Sequence, residues 1–343
     1  MASLWTDVID PAELTGYTRS YMEDYEKSKG SLARWLPNRM VPDINIRFVK
    51  GSNGLIPIAD FRAYDAENTI GALPGGSRVT IELPAVGRNI PVSEYNQLRA
   101  RSANPSDEAV LVTLKKAAKA AARSAVDAVE RLRGTVLQTG KATVAGFMDD
   151  DFGRAGGHSV TAPALWSVAG TDALGQAQGW IDTYTDANGA APGATLMSTR
   201  VLRAMSGLTQ FSTALVGGGV RPATLADAQA TWQAAGLPPI YLYDRRVSVA
   251  GTATKVLSDD RLFLLPEPVD PNDGEGSELG ATAWGQTLTS SEADWGIEDS
   301  EQPGLVVGVY REEKPPMIAE VISDAIALPF LANPDLSFVA DVL

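Results

Sequence analysis

The sequence predicts a mixed α+β fold, and three patterns carry that prediction. Apolar residues recur at every third or fourth position over residues 106–139, as they do along one side of a single long helix. Over residues 55–92 the period changes to two, which is typical of half-buried strands. Short helices and strands then share residues 160–266, which indicates a compact α+β unit after the long helix.

Composition narrows the classes of protein that this chain can belong to. The 343 residues, 44% of them hydrophobic, are enough for one large core or two modest ones. A net charge of -13 argues against general nucleic-acid binding, because neutralising phosphates requires a basic surface. Cysteine is absent, so disulfides and thiolate chemistry are excluded. We find no signal segment after Met1 and no apolar run of about 18 residues, and we therefore expect a soluble protein without a membrane span.

The long helix has an apolar face and a basic face. Ser106 is the expected N-cap, since Pro105 precedes it and Asp107 and Glu108 follow in the first turn. The apolar stripe consists of Val110, Leu114, Ala117, Ala121, Ala125, Val129, Leu132 and Val136. The basic residues are Lys115, Lys116, Lys119, Arg123, Arg131 and Arg133. We expect part of this basic surface to face DNA or the carboxylates of a neighbour; an ordinary solvated face is the alternative.

Residues 1–45 do not look like a closed domain. A helix is predicted from Pro11 to about Lys29, and Trp35 follows it just before a strand punctuated by Pro37 and Pro42. So short a segment cannot bury its aromatic side chains by itself. They dock either on a neighbouring subunit or on the core of the same chain, and the sequence leaves both possibilities open.

The period-two region predicts a two-stranded arm. Ala59, Phe61 and Ala63 alternate with polar residues in one strand, and Val79 and Ile81 alternate with polar residues in the other. The glycine-rich residues 71–76 form the predicted turn. Because an isolated hairpin is marginal in water, the arm indicates association with another subunit. A hairpin inside a larger sheet is the alternative.

The remaining elements follow the long helix. Helices are predicted at residues 172–187, 199–211 and 224–235. Strands are predicted at residues 141–147, 195–197, 240–243, 247–250, 254–257, 262–265, 305–310 and 317–322, with Gly251 as a hairpin turn. Residues 267–304 are acidic and rich in Gly, Ser and Pro, which predicts a long loop or insertion anchored by Trp284 and Trp295.

The sequence offers little catalytic chemistry. Residues 134–141 resemble a phosphate-binding loop, but the glycine spacing is one residue too long and Ala142 stands where a magnesium-binding hydroxyl belongs. Residues 149–151 are three adjacent aspartates, interpreted as a solvated turn with a divalent-cation site as the alternative. His158 has no partner for a metal site and no serine elbow to serve. The glycines at 217–219 are not followed by a helix start until Thr224 and do not match G-x-G-x-x-G, so we interpret them as a flexible loop. We predict no catalytic residue, no metal and no cofactor.

The order of these parts resembles the lambda-type major capsid protein E family of tailed phages. An N-terminal arm, a two-stranded arm, a long helix and an α+β unit follow one another in that order. The local similarities lie at residues 136–144, at 190–192 leading to 197–198, at 236–240 leading to 243–244, at 262–266 and at 311–316. The resemblance covers nearly the whole chain.

The resemblance implies the Hong Kong 97-type phage capsid fold. Residues 1–45 would be the N-terminal arm and residues 46–95 the extended loop. Residues 96–160, joined by strands from 305–324, would form a peripheral domain with the long helix as its spine. Residues 161–304, including the acidic segment, would form the axial domain, and the placement of residues 325–343 stays open.

The implied function is that of a non-enzymatic major capsid protein of the virion. Such a protein assembles into pentamers and hexamers around double-stranded DNA in the host bacterial cytoplasm. Its implied partners are copies of itself, a scaffolding protein, a portal, a decoration or cementing protein, and packaged DNA through weak non-specific contact. A carboxylate-based hydrolase and another virion structural protein are the alternatives. An enzyme would form a small defined oligomer, whereas a capsid protein forms shells.

Two sets of residues are the candidates for these contacts. The expected inter-subunit contacts are Trp35, Phe61, Arg62, Arg78, Val79, Ile81 and Arg88. The expected interior-facing basic residues are Lys115, Lys116, Lys119 and Arg123. Some members of the fold link subunits through an isopeptide bond from a lysine on the extended loop, but no lysine lies between Lys50 and Lys115 here. We therefore expect non-covalent strengthening of the shell.

Overall fold

The structure is a computed structural model that describes residues 2–51, 77–103, 107–214, 219–272, 274 and 276–343. Several predictions lie outside these residues. They are the first strand of the arm with Phe61 and Arg62, the glycine-rich turn, the Ser106 cap and most of the glycines at 217–219.

The described residues contain seven α-helices. In chain order they are α1 Pro11–Lys29, α2 Glu94–Ala103, α3 Asp107–Thr139, α4 Ala173–Asn188, α5 Thr199–Ser206, α6 Leu225–Ala234 and α7 Leu288–Ser291.

Over the same residues there are nineteen strands. They are β1 Ala2–Leu4, β2 Asn38–Met40, β3 Asn45–Lys50, β4 Ser77–Glu82, β5 Ala85–Val92, β6 Lys141–Val144, β7 Met148–Asp151, β8 Ser159–Thr161, β9 Ala194–Met197, β10 Thr213–Ala214, β11 Val220–Arg221, β12 Ile240–Leu242, β13 Arg246–Val249, β14 Thr252–Lys255, β15 Arg261–Leu265, β16 Gly280–Gly285, β17 Val306–Glu312, β18 Ala319–Leu331 and β19 Phe338–Asp341.

The long helix α3 is the predicted one, ending at Thr139 as expected. At 1.5 Å per residue its 33 residues span about 50 Å. The predicted apolar stripe is buried from Val110 to Val136, except that Leu132 is half-buried. Gly140, with a φ of 71°, lets the chain turn from the helix into β6, because this left-handed conformation is strained for other residues.

A six-stranded sheet packs against α3. Along one edge of β18, β17 pairs with its first half and β16 with its second half. Outside these, β1 pairs with β17 and β2 with β16, while β5 pairs along the opposite edge of β18. The helix lies on β18 and β5. The predicted strands at 305–310 and 317–322 are thus confirmed as β17 and β18, both longer than expected. They belong to the sheet on which the long helix packs.

A five-stranded sheet lies beyond the C-terminal end of α3, in the order β12-β9-β15-β19-β8. The α4, α5 and α6 helices belong to the same buried core as this sheet. The predicted helix over 199–211 is divided, because the α-helix stops at Ser206 before Gly207 and a 3-10 turn follows at Thr209–Phe211. The C-terminal residues, whose placement was open, contribute β19.

The prediction of a long loop over residues 267–304 is wrong for its middle part. Residues 280–285 form β16, which pairs with both β18 and β2 inside the sheet that carries α3. All six of its residues are buried, so the strand shows no alternation for the sequence to reveal. Trp284 and Trp295 are buried as predicted, at 7% and 0% exposure.

The N-terminal helix α1 packs on its own chain. Asp10 caps it, accepting a hydrogen bond from the Ala12 backbone N–H at 2.9 Å. Leu14, Met22 and Tyr25 are buried against α3 and β17. Of the two possibilities left open by the sequence, the structure shows the helix folded onto its own core.

Four two-stranded ribbons, β3–β4, β6–β7, β10–β11 and β13–β14, complete the fold of the described residues. The second strand of the predicted arm is β4, and within the described residues it pairs with β3, where Ile46 faces Ile81. The predicted strand at 141–147 ends early, as β6 at Val144, and pairs with β7, which begins at Met148. Asp149, Asp150 and Asp151 therefore lie on a strand, and the interpretation as a turn is wrong.

Candidate functional site

Among the described residues, the candidate groups His158, Asp149 and Asp151 are engaged in packing, a hydrogen bond and an ion pair. His158 is 2% exposed and its ring packs against Tyr184 and Phe338, with 5.6 Å between its centroid and that of Phe338. Asp151 pairs with Lys141 at 2.9 Å, and the Thr143 hydroxyl donates to Asp149 at 2.7 Å. In the described part of the chain, no group of three or more His, Asp or Glu side chains is placed to bind a metal ion.

A buried ionic cluster lies where the two sheets meet. On α3 the Glu130 carboxylate accepts from Arg133 Nη1 at 2.9 Å. The hydroxyl of Tyr243, just after β12, donates to the same carboxylate at 2.6 Å. The Leu32 backbone N–H donates to it at 2.8 Å, and Arg245 Nη1 lies 3.5 Å away. Since Glu130 is fully buried, its charge depends on these partners.

The two arginines extend the cluster into other elements. Arg133 donates to Asn38 Oδ1 at 2.6 Å, to Thr282 Oγ1 at 2.9 Å and to Glu26 Oε1 at 3.2 Å, which joins α3 to β2, β16 and α1. Arg245 donates to Asp127 Oδ1 at 2.8 Å and to the carbonyl of Gly30 at 2.9 Å. We call Asp127, Glu130, Arg133, Tyr243 and Arg245 the ionic hub.

Burial and the neighbouring charges both shift the pKa values of Glu130, Tyr243 and Arg245. Burial alone would raise the pKa of Glu130, but attraction to Arg133 and Arg245, with the hydrogen bonds from Tyr243 and Leu32, lowers that pKa below its ordinary value. Burial and the neighbouring Glu130 raise the pKa of Tyr243. Burial opposes a charged Arg245, yet Glu130 and Asp127 outweigh it and raise its pKa. Glu130 and Arg245 therefore stay charged at neutral pH, and the hub ties the two sheets together.

The hub corrects one prediction about the helix surface. Arg133, expected among the exposed basic residues, is only 1% exposed. Periodicity did not reveal this, because Arg133 adjoins the apolar stripe and its partners lie far away in the sequence. Glu130 was missed for the same reason.

The predicted basic face of α3 lies partly under α1. Lys119 Nζ sits 4.4 Å from the ring centroid of Tyr21, and Lys115 Nζ sits 4.9 Å from that of Tyr17. The Arg123 guanidinium lies 4.7 Å from the Tyr25 ring. These are cation–π distances, so the tyrosine rings of α1 stabilise three of the positive charges on this face of α3. Lys116 is exposed.

The candidate inter-subunit residues differ in what they can offer a neighbour. Trp35 and Ile81 are 3% and 5% exposed within one chain, so they retain little surface for another subunit. The Trp35 ring NH donates to the Pro266 carbonyl at 3.1 Å, which ties it to its own core. Val79 is half-buried. The remaining described candidates, Arg78 and Arg88, are exposed.

Comparison with known proteins assigns the family. The sequence model of phage major capsid protein E matches residues 45–273, about two thirds of the chain. The chain belongs to the phage major capsid protein E family. No curated protein sequence matches it.

Solved structures show that this capsid protein has the expected fold. The protein assigned as the capsid protein of an Escherichia coli CFT073 prophage is 14% identical, with a TM-score of 0.58 and complete coverage of both chains. A phage-related protein from Bordetella bronchiseptica RB50 is also 14% identical, with a TM-score of 0.58 over 96% of this chain and 95% of the other. The mixed α+β architecture is therefore of the Hong Kong 97 capsid type.

Family membership decides between the functions that the sequence left open. This is a shell-forming structural protein of the virion capsid, and the hydrolase alternative is not supported. Among the described residues, no helix is both long and apolar enough to cross a membrane.

Proposed function

We propose that this capsid protein self-assembles into pentamers and hexamers, and that these build an icosahedral shell around phage double-stranded DNA. The observation that carries the proposal is the family match over residues 45–273, together with a fold shared with a prophage capsid protein over the full chain. The protein acts without catalysis, and it assembles in the host bacterial cytoplasm.

The two sheets correspond to two domains in this proposal. The six-stranded sheet with α3 is the peripheral domain, and α3 is its spine. The five-stranded sheet with α4, α5 and α6 is the axial domain, to which β19 returns. The acidic segment, first expected in the axial domain, goes with the peripheral domain because β16 pairs inside that sheet.

DNA contact is proposed to be weak and local. The candidate interior-facing residues are Lys115, Lys116, Lys119 and Arg123, of which Lys116 is exposed and three lie over tyrosine rings of α1. A subunit of net charge -13 repels phosphate over most of its surface, so only such a local patch can favour it. Scaffolding and portal proteins are the further partners during assembly.

The shell is proposed to be held together by non-covalent contacts. No lysine lies between Lys50 and Lys115, and an arginine is too firmly protonated to act as an isopeptide nucleophile. Arg78 and Arg88 remain exposed for ion pairs with a neighbour. Each such pair contributes about 0.2–1 kcal/mol, but a shell repeats it at every interface. A decoration or cementing protein is a further source of strength.

Electron microscopy tests this function. The purified protein, expressed alone and with its scaffolding protein, is examined by negative stain, and its mass in solution is measured by sedimentation. We expect capsomers and closed shells. A small oligomer of fixed size under every condition would contradict the proposal.

A further inference from the structure

An open groove runs along α3 beside the start of β5 and the β13–β14 hairpin. Its volume is about 840 Å³, within the range of roughly 300–1,000 Å³ that is usual for a concave binding site. Its described lining includes the arginines Arg88, Arg123, Arg131 and Arg246 and the single carboxylate of Asp127. That carboxylate pairs with Arg245 and, at 3.5 Å, with Arg123 of the groove, so Arg88, Arg131 and Arg246 have no carboxylate partner in the lining. The groove therefore presents an excess of positive charge.

The floor of the groove is apolar. Val86, Val129, Leu132 and Val247 line it, and Val129 and Val247 are buried. A phosphate group has no apolar surface to bury on such a floor. A polypeptide segment with one apolar side chain and several carboxylates complements both the apolar floor and the arginines of the groove.

The same chain carries a segment of that kind. Residues 286–303, which we call the acidic lobe, contain five carboxylates and no lysine or arginine; the carboxylates are Glu292, Asp294, Glu298, Asp299 and Glu301, and all five residues are exposed. Leu288, on α7, is 88% exposed, more than any other large hydrophobic residue among those described.

The acidic lobe has a defined base. Trp295 is fully buried, and its ring centroid lies 6.4 Å from that of Tyr310 on β17. Thr287 caps α7, accepting from the Ser290 backbone N–H at 3.1 Å. The lobe is thus held against the sheet while Leu288 and the carboxylates point outward.

Lobe and groove lie on opposite edges of β18. On one edge Ala325 pairs with Val86 at the groove. On the other edge Asp324 pairs with Val306 and Ile326 pairs with Gly285, and the lobe leaves the sheet between these two points. A contact between a lobe and a groove therefore joins two copies head to tail, and head-to-tail contacts generate rings when the rotation closes.

We propose that the arginine-lined groove of one copy binds the acidic lobe of the next copy. Leu288 packs on the apolar floor, and the lobe carboxylates pair with Arg131, Arg246 and the other rim arginines. This inference rests on the proposed shell-forming function and names one of its contacts.

Charge reversal tests the contact. The groove variant carries Arg131→Glu and Arg246→Glu, the lobe variant carries Glu292→Arg and Glu298→Arg, and a combined chain carries all four. Because like charges facing each other cost several kcal/mol and 1.4 kcal/mol is a factor of ten, we expect each two-site variant to lower the shell yield at least about tenfold. The combined chain regains shells, since each copy then offers reversed charges on both sides.

Three further variants and one probe complete the test. Leu288→Ala lowers the shell yield without changing the unfolding midpoint, since the side chain is exposed. Arg203→Glu, at an exposed arginine of α5, and Val168→Ala, at an apolar side chain that is 57% exposed, are the matched controls and leave the yield unchanged. A labelled short DNA duplex tests for nucleic acid in the groove.

The outcomes separate this inference from the proposed function. If the wild type forms shells and either two-site variant forms them equally well, or the combined chain stays unassembled, the lobe–groove contact is wrong and the capsid function stands. If the wild type binds the duplex, and the groove variant loses that binding but forms shells as well as the wild type, the groove is a nucleic-acid site. That result overturns the lobe–groove contact. A wild type that never forms shells contradicts both.

Discussion

Glu130 and Arg133 form an ion pair in the interior of the protein, with 2.9 Å between Glu130 Oε2 and Arg133 Nη1. Their side chains are 0% and 1% exposed. Removing two charges from water is costly, and only good geometry with further hydrogen bonds offsets that cost. Here the Tyr243 hydroxyl and the Leu32 backbone N–H donate hydrogen bonds to Glu130, and Arg245 adds a second ion pair at 3.5 Å. The pair therefore matters for how the two sheets are held relative to each other.

Removing the charge of Glu130 should destabilise the subunit. Glu130→Gln leaves Arg133 and Arg245 without their shared carboxylate, and we expect the free energy of unfolding to fall by about 3–5 kcal/mol. Urea unfolding of unassembled subunits, followed by circular dichroism, measures it. Glu23→Gln, the same change at an exposed glutamate of α1, should stay within about 0.5 kcal/mol. A loss below about 1 kcal/mol for Glu130→Gln would show that the hub is not needed for stability.

The hub also predicts a pH dependence. The pKa of Glu130 in the folded protein lies below its ordinary value of 4.5, so the unfolded chain binds this proton more readily. Its stabilising contribution is complete above that ordinary value and is lost as the pH falls through the lower folded pKa. The difference in unfolding free energy between wild type and Glu130→Gln should be constant near neutral pH and shrink below about pH 4.5. A difference that stays constant into the acid range would contradict this assignment.

Two glycines in helices should respond in opposite ways to alanine. A Cβ on Gly134 of α3 would lie 2.5 Å from the Val256 carbonyl oxygen, whereas a Cβ on Gly179 of α4 would meet nothing within 4 Å. We expect Gly134→Ala to lower the free energy of unfolding by about 1–3 kcal/mol through overpacking. Gly179→Ala should raise it by about 0.5–1 kcal/mol through helix propensity. Thermal or urea unfolding of both variants checks the pair, and equal effects would mean that α3 does not approach Val256 so closely.

Mature particles should come apart completely in detergent. No lysine lies between Lys50 and Lys115, so the part of the proposed extended loop beyond Lys50 lacks the amine that an isopeptide bond requires. After boiling, a denaturing gel should show one band near the 36.3 kDa monomer. A ladder of linked multimers that resists boiling would show that a covalent lock forms elsewhere in the chain.

Local patterns predicted those parts of the fold whose burial is one-sided. The α3 helix and the β13–β14 hairpin around Gly251 lie close to their predicted positions. Hydrophobic periodicity and turn-forming residues are local features of the sequence, so they can be recognised without knowledge of tertiary contacts. The β16 strand was missed because it is buried on both faces and lies in an acidic, glycine-rich context. The docking of α1 on its own chain depends on tertiary packing, so the sequence left it open.

The ionic hub could not be predicted for a related reason. Glu130 and Arg133 occupy helix positions where charged residues are usually solvated. Their partner Arg245 lies more than a hundred residues further along the chain, and no local pattern links the two. By contrast, the order of the parts was enough to indicate the capsid family, because order does not depend on individual contacts.

Cryo-electron microscopy of assembled particles shows whether this chain builds the wall of the shell. We expect a closed icosahedral shell of pentamers and hexamers whose subunits each show the six-stranded and five-stranded sheets joined at Glu130, Arg133 and Arg245. Particles whose walls are built by another protein, with this chain absent from the shell lattice, would contradict it.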